Sequence, residues 1–140
     1  MTRLSQAEID SQLAKPHVAH LVSIRADGRP HVAPVWYARE GGRVWVMTGS
    51  GTAKARNIAN NPAVSLSIAA PGRPYWYIVL EGEATLTTHN LEAIVPNICT
   101  RYDGPIRGAE FARELLSGED MVLIDFRIDR VVSWHDDEES

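Results

Sequence analysis

The sequence predicts a mainly β protein of the α+β class, a small antiparallel barrel with short helical insertions. Three observations carry the prediction. Six segments rich in β-branched and aromatic residues are spaced by turn signals. No β-α-β unit repeats along the chain, which argues against a parallel sheet. Gly82 interrupts the longest of the six segments, where a strand bending to close a sheet gains from a residue without a side chain.

From the N-terminus, Ser5 and Glu8 have the spacing of a capping box and open a short helix that ends before Pro16. Residues 17–25 form the first strand, and Asp27-Gly28 is a two-residue hairpin signal. The return strand, 31–39, meets Gly41-Gly42, and 43–48 is the third strand, so the three read as an antiparallel meander. The texture then changes. Ala53–Asn60 favours a helix, with Thr52 or Ser50 as its cap and Asn60-Asn61-Pro62 as its stop. Strands resume at Ala63–Ala69, turn at Pro71-Gly72-Arg73-Pro74 and continue over 75–87. Residues 90–116 read as two helices, with Pro96 near the first and Asp103-Gly104-Pro105 between them. The last strand is 121–128, with 131–134 as a candidate extension.

Composition bounds the function. The 140 residues suit one domain, 1–140, with an acidic end over 135–140 expected to fray. Hydrophobic residues at 44% and charged residues at 23% exclude disordered, collagen-like and coiled-coil classes. A net charge of −4 lacks the basic face of a nucleic-acid binder. No apolar run approaches the roughly 20 residues of a membrane span, and the run at 18–24 is broken by His20 and Ser23. The first 15 residues carry no signal-peptide stretch. Cys99 is alone, which rules out an internal disulfide and suggests a reducing, cytoplasmic setting.

The segment that carries chemistry is Thr48-Gly49-Ser50-Gly51-Thr52-Ala53-Lys54-Ala55-Arg56-Asn57. It sets a Gly- and hydroxyl-rich turn between a strand and a helix, where unpaired N–H groups and the positive end of the dipole suit an anion. Lys54 and Arg56 fall in the first turn, where a cation is unfavourable unless an anion is near. The spacing matches neither a Walker loop nor a dinucleotide fingerprint. On local physics a phosphate site and a solvated turn both remain open. Upstream, Pro34 sits mid-strand in Val32-Ala33-Pro34-Val35-Trp36-Tyr37, which places it at an edge or a gap in the sheet. A planar ligand could occupy such a gap against Pro34, Val35 and Trp36. The plainer alternative has Trp36 and Tyr37 as one core and one surface residue.

Four motifs in order resemble the flavin and deazaflavin split-barrel superfamily related to pyridoxamine 5′-phosphate oxidase. They are Asp27-Gly28-Arg29-Pro30-His31-Val32-Ala33-Pro34-Val35-Trp36, then Ala53-Lys54-Ala55-Arg56-Asn57-Ile58, then Pro74-Tyr75-Trp76-Tyr77 with Glu81-Gly82, and finally Arg130-Val131-Val132-Ser133-Trp134. The Lys-Ala-Arg-Asn run is most similar to the branch that uses the deazaflavin F420. The resemblance implies a six-stranded antiparallel split β-barrel with short helical insertions, assembled as a homodimer with its cofactor sites at the interface. It implies cofactor phosphate against Ser50, Lys54, Arg56 and the start of the helix that includes Asn57. The flat ring would rest near Pro34, Val35 and Trp36, with Thr48 and Gly49 at its polar edge. One departure matters: the chain ends in Trp134-His135-Asp136-Asp137-Glu138, acidic where the true oxidase needs a phosphate-binding signature, so oxidation of pyridoxamine phosphate is not expected.

With a cofactor carrying the chemistry, no dedicated nucleophile is expected. Tyr37, Tyr77 and Tyr102 are available hydroxyls, and the sequence does not choose among them. His17-x-x-His20 is no metal pair, because a strand points the two side chains to opposite faces. The helices over 90–116, with Arg101, Tyr102 and Arg107, could roof a substrate pocket or serve as scaffold. The expected function is hydride transfer between F420, or alternatively FMN, and a small organic acceptor, with no metal, nucleic acid or membrane partner. The alternative is a split barrel that binds a flavin or tetrapyrrole without turnover.

Overall fold

The structure, a computed structural model, describes residues 2–136. Its elements in chain order are α1 Gln6–Leu13, β1 Ala19–Ile24, β2 Pro30–Val35, β3 Ala38–Glu40, β4 Arg43–Gly49, α2 Ala53–Asn60, β5 Ala63–Ala69, β6 Trp76–Thr87, α3 Leu91–Asp103, α4 Pro105–Ser117 and β7 Met121–His135. The capping box forms as expected, with Ser5 and Glu8 exchanging side-chain and backbone bonds. Thr52, not Ser50, caps α2. The hairpin after β1 has one more residue than the dipeptide suggests: Arg25 N–H donates to Arg29 C=O, and Gly28 takes φ 88°.

All strands lie in one antiparallel sheet of order β2-β1-β5-β6-β7-β4-β3. Six strands were expected and seven form. The segment expected as one strand over 31–39 is two, and its halves occupy opposite edges of the sheet. The expected meander is therefore broken into a β1–β2 hairpin and a β3–β4 hairpin. The reason is that the inward alternation runs on through the break, with Val35 and Tyr37 both buried, while the pairing partner changes from β1 to β4. Periodicity reports the face a residue points to and is blind to which neighbour it pairs with.

That two-residue crossover dictates the shape. Seven strands laid flat would separate the edges by about 29 Å, six gaps of about 4.8 Å. The three Cα steps from Val35 to Ala38 span at most about 11 Å. The sheet must curl until its edges meet, and it does so without a β2–β3 ladder, which leaves a seam. The register of β6 on β7 shifts at a bulge, a feature that bends a strand. Asp129 is left unpaired between the Glu81–Arg130 and Gly82–Ile128 pairs, a bulge opposite Gly82. A Cβ on Gly82 would lie 1.9 Å from the Arg127 carbonyl oxygen, so the close approach demands glycine.

β7 is one strand through the bulge, joining the two segments read from the sequence. Two residues of the end expected to fray are held in place: His135 pairs with Trp76 and Asp136 N–H donates to Tyr75 C=O. The remainder of that segment lies outside the described residues.

The inward faces of the curled sheet enclose the main core, with Tyr37, Leu21, Leu66, Ile68, Ile78, Leu80 and Phe126 fully buried. A second core lies outside the sheet, where α3 and α4 cover the outward residues of β4 and β7 through Val95, Cys99, Ala112 and Leu123. Among the described residues no helix is long and apolar enough to cross a membrane.

The crossover is pinned from two sides. Tyr37 Oη donates toward the carbonyls of Leu13 (3.1 Å) and Lys15 (3.3 Å) beyond the end of α1. α1 has no basic residue in its last turn. Arg101 of α3 supplies that charge, donating to the carbonyls of Leu13, Ala14 and Lys15 at 2.7–2.9 Å and lying 5.0 Å from the Tyr37 ring.

Burial pushes the Tyr37 phenol up to about 12 from its ordinary 10.0. The unfolded chain ionises this phenol first, so the stability it contributes is complete below pH 10 and is lost as pH rises toward 12. Urea unfolding across that range should show wild type losing stability faster than Tyr37→Phe. The variant starts lower by about 0.5–1.5 kcal/mol, the worth of the lost hydrogen bond. Parallel losses in the two proteins would show that Tyr37 is not the group responsible.

Candidate functional site

The turn between β4 and α2 is held by its own hydroxyls. Thr52 Oγ1 donates to Gly49 C=O (2.9 Å) and accepts from Ala55 N–H (3.4 Å). A hydroxyl has one proton, so Thr48 is the donor in the 2.8 Å bond between the two threonine oxygens. Ser50 N–H is taken by the Asp120 carbonyl at 2.7 Å. The N–H groups of Ala53 and Lys54, in the first turn of α2, have no carbonyl four residues back to receive them within the helix.

The two cations that strain this helix start resolve differently. Arg56 is exposed and folds back to donate to Gly51 C=O. Asn57 turns inward, its Nδ2 donating to the buried Ser23 Oγ at 3.1 Å, which ties α2 to β1. Lys54 is half-buried, and its ammonium makes no hydrogen bond or ion pair with the described residues.

Lys54 instead lines a cleft of about 530 Å³ at the seam of the sheet. Val18, Pro34, Val35 and Trp36 bound it from the β1–β2 edge, Met47 from β4 and Phe111 from α4. Of the residues expected from sequence, Pro34, Val35, Trp36 and Lys54 meet in this cleft. Thr48, Gly49 and Ser50 form the turn beside α2, while Arg56 and Asn57 brace it. Val18, Met47 and Phe111 escaped the sequence reading. Met47 had a signal: it alternates with buried Val46 and Thr48, so it is an outward apolar position that needs cover. Phe111 had none, since it reaches the cleft only through the packing of α4.

Trp36 is clamped between helices α3 and α4. Its indole stacks on Tyr102 (centroids 4.8 Å apart, planes 3° apart) and meets Phe111 edge-on at 6.1 Å. A second cavity of about 300 Å³ shares Trp36 and Phe111 with the cleft and is lined further by Asp103, Arg107, Glu110 and Glu114. The helices thus divide their duties: α4 borders the cleft through Phe111, whereas Arg101 and Tyr102 of α3 are scaffold. Tyr102 Oη donates to the His17 carbonyl at 2.6 Å. The hydroxyl protons of Tyr37 and Tyr102 are therefore both spent on main-chain carbonyls, and burial raises both phenols above their ordinary range. Tyr77 stacks on Trp134, its partner across β6 and β7. The guanidinium of Arg43 pairs with Asp125.

A model of the pyridoxamine 5′-phosphate oxidase family matches residues 5–135. None of the curated proteins compared matches the chain. Among solved structures, the chain is similar to a conserved hypothetical protein of Mycobacterium tuberculosis, at 25% identity and TM-score 0.82 over 94% of this chain and 85% of that one. It is similar to an F420 reductase at 29% identity and TM-score 0.71, covering 88% of this chain and 94% of that one. A heme storage protein of Vibrio cholerae, HutZ, shares the fold at 17% identity and TM-score 0.75, over 96% and 95% of the two chains. The seven-stranded curled sheet is the split-barrel fold of these neighbours.

Proposed function

The chain belongs to the pyridoxamine 5′-phosphate oxidase family, and from that premise we propose an oxidoreductase that moves a hydride between bound F420 and a small organic acceptor. FMN is the alternative cofactor. The observation that carries the reading is the seam cleft, an apolar slot whose one charged lining group, Lys54, has no partner among the described residues. Its volume of about 530 Å³ lies within the range of small-molecule sites. An anion beside Lys54 and the first N–H groups of α2 would turn the unfavourable cation–dipole arrangement into a favourable one. Similarity to an F420 reductase supports F420 over FMN.

When bound, the ring of the cofactor supplies the hydride chemistry. The chain's own residues bind and orient it. Lys54, the Ser50 side chain and the first N–H groups of α2 hold the phosphate end, Thr48 and Gly49 lie toward the ring's polar edge, and Arg56 and Asn57 keep turn and helix in place. Pro34, Val35 and Trp36 offer a flat apolar wall, and Met47 and Phe111 keep water out from the other side of the seam.

We also propose that two copies pair through the outward face of β1 and β2. Val18 and Val32 are 52% and 57% exposed, and Pro34 on the same face borders the cleft. A partner on this face would cover the cleft mouth. The lone, buried Cys99 suits a reducing, cytoplasmic setting. A second reading, a non-catalytic flavin- or tetrapyrrole-binding protein, is favoured by one observation: among the described residues the cleft lining has no carboxyl, hydroxyl or imidazole side chain, and its one proton donor, Lys54, is the group that would hold the phosphate.

Fluorescence titration with F420 and FMN in parallel tests the site. F420 should bind more tightly, and Lys54→Ala should weaken it about 10- to 100-fold, the worth of one charge-assisted contact. Arg56→Ala should cost less, since that guanidinium is engaged with Gly51. Unchanged binding by Lys54→Ala would overturn the site. Turnover of reduced cofactor with a panel of quinones and enones separates enzyme from carrier. Sedimentation at micromolar concentration should give a dimer, and a monomer alone would refute the pairing.

A further inference from the structure

Trp36 and Phe111 lie between the cleft and the cavity beneath α4, and the position of Trp36 is also constrained from outside both spaces. Tyr102 lines neither of them, yet three of its contacts converge on the cleft wall. Its ring lies flat on the Trp36 indole. Its hydroxyl oxygen accepts the Tyr37 N–H at 3.2 Å, two residues beyond Val35. The same hydroxyl donates to the carbonyl of His17, the residue before Val18, at 2.6 Å. One side chain of α3 therefore touches the cleft residue Trp36 directly and bonds the main chain of His17 and Tyr37, the neighbours of Val18 and Trp36.

We infer that Tyr102 is a positioning residue that fixes Trp36 as the wall of the cofactor cleft, acting through the ring stack and not by touching cofactor. The inference rests on the reading of the cleft as a cofactor site and adds a named determinant to it. The crossover has no ladder to hold it, since Trp36 and Tyr37 lie in neither β2 nor β3. A tryptophan there keeps a choice of rotamers unless a flat partner removes it, and the Tyr102 ring, two degrees of freedom on a packed helix, is that partner. The stack also occupies one face of the indole, so a cofactor ring has only the remaining face or edge of Trp36 to use.

A double-mutant cycle reads this directly, with F420 and FMN as the titrated probes. Trp36→Ala and Tyr102→Leu should each weaken binding about five- to tenfold, and the double variant should be no weaker than Trp36→Ala alone. Tyr102→Phe keeps the ring and should bind within about twofold of wild type while losing stability. In near-ultraviolet circular dichroism of the ligand-free proteins, the tryptophan fine-structure bands should change with Tyr102→Leu and persist with Tyr102→Phe, beyond the tyrosine band that both substitutions remove. Ile68→Val, a buried change in β5, an element that lines no part of the cleft, should leave affinity unchanged and act as the control for general destabilisation. If Trp36→Ala weakens binding but Tyr102→Leu does not, or if their losses add in full, the positioning role is wrong and the cleft reading stands. If Trp36→Ala has no effect while Lys54→Ala does, Trp36 is no wall and the inference falls with the phosphate site intact. If neither matters, the cleft itself is not the cofactor site. Where Tyr102→Leu does not fold, Tyr102→Phe decides: a loss equal to that of Trp36→Ala assigns the effect to the hydroxyl and overturns the stack as its cause.

Discussion

Two residues must join opposite edges of a seven-stranded sheet, and most of the architecture follows from that requirement. Trp36 and Tyr37 cannot bridge a flat sheet, so the sheet curls, and β6 and β7 carry a bulge at Gly82 where a side chain is excluded. The edges approach without pairing, so the closure leaves a seam instead of a ladder. A seam lined by edge residues and floored by a crossover is a cleft by construction. Both crossover side chains are needed: Tyr37 points into the core and fastens to the end of α1, while Trp36 points out and faces the cleft.

The electrostatic feature of the site grows from the same geometry. β4 delivers the Thr48–Gly49 turn to the seam, and α2 starts there with its unpaired N–H groups and two cations. A helix beginning with cations is locally unfavourable by a few tenths of a kcal/mol to about 1 kcal/mol each. Arg56 relieves its share by bonding to Gly51, but Lys54 faces the apolar cleft without relief among the described residues. The distinction matters because both side chains look alike in the sequence, three and five residues after Gly51. Only the fold separates the ligand-ready cation from the brace.

Much of this was legible beforehand, and what was not has physical causes. α2 and β5 match the sequence reading to the residue because capping and stop signals are local: Thr52 at one end and Asn61-Pro62 at the other. The capping box at Ser5 and the break at Asp103-Gly104-Pro105 are local too. The Trp36–Tyr37 break was missed because inward alternation continues through it, and partner exchange leaves no periodic trace. Pro34 did signal a gap, and the gap is the seam. Asn57 and Arg56 were read as ligand-facing from a motif whose residue types admit structural uses as well, and their geometry shows those uses: a bond to Ser23 and a bond to Gly51. Phe111 and Tyr102 reach the site through helix packing over a sequence distance that no local pattern encodes.

The central claim is that the seam built by the crossover is where the cofactor binds. The four tryptophans give a direct test, because Trp36 lines the cleft whereas Trp45 lines a separate cavity between β3, β4 and α3. Nitrogen-15 NMR of the indole N–H groups, assigned by single Trp→Phe replacements, should be followed during titration with F420. The account predicts a large, saturable shift of the Trp36 signal with Trp45 unmoved. Saturating F420 that shifts Trp45 and leaves Trp36 in place would contradict it.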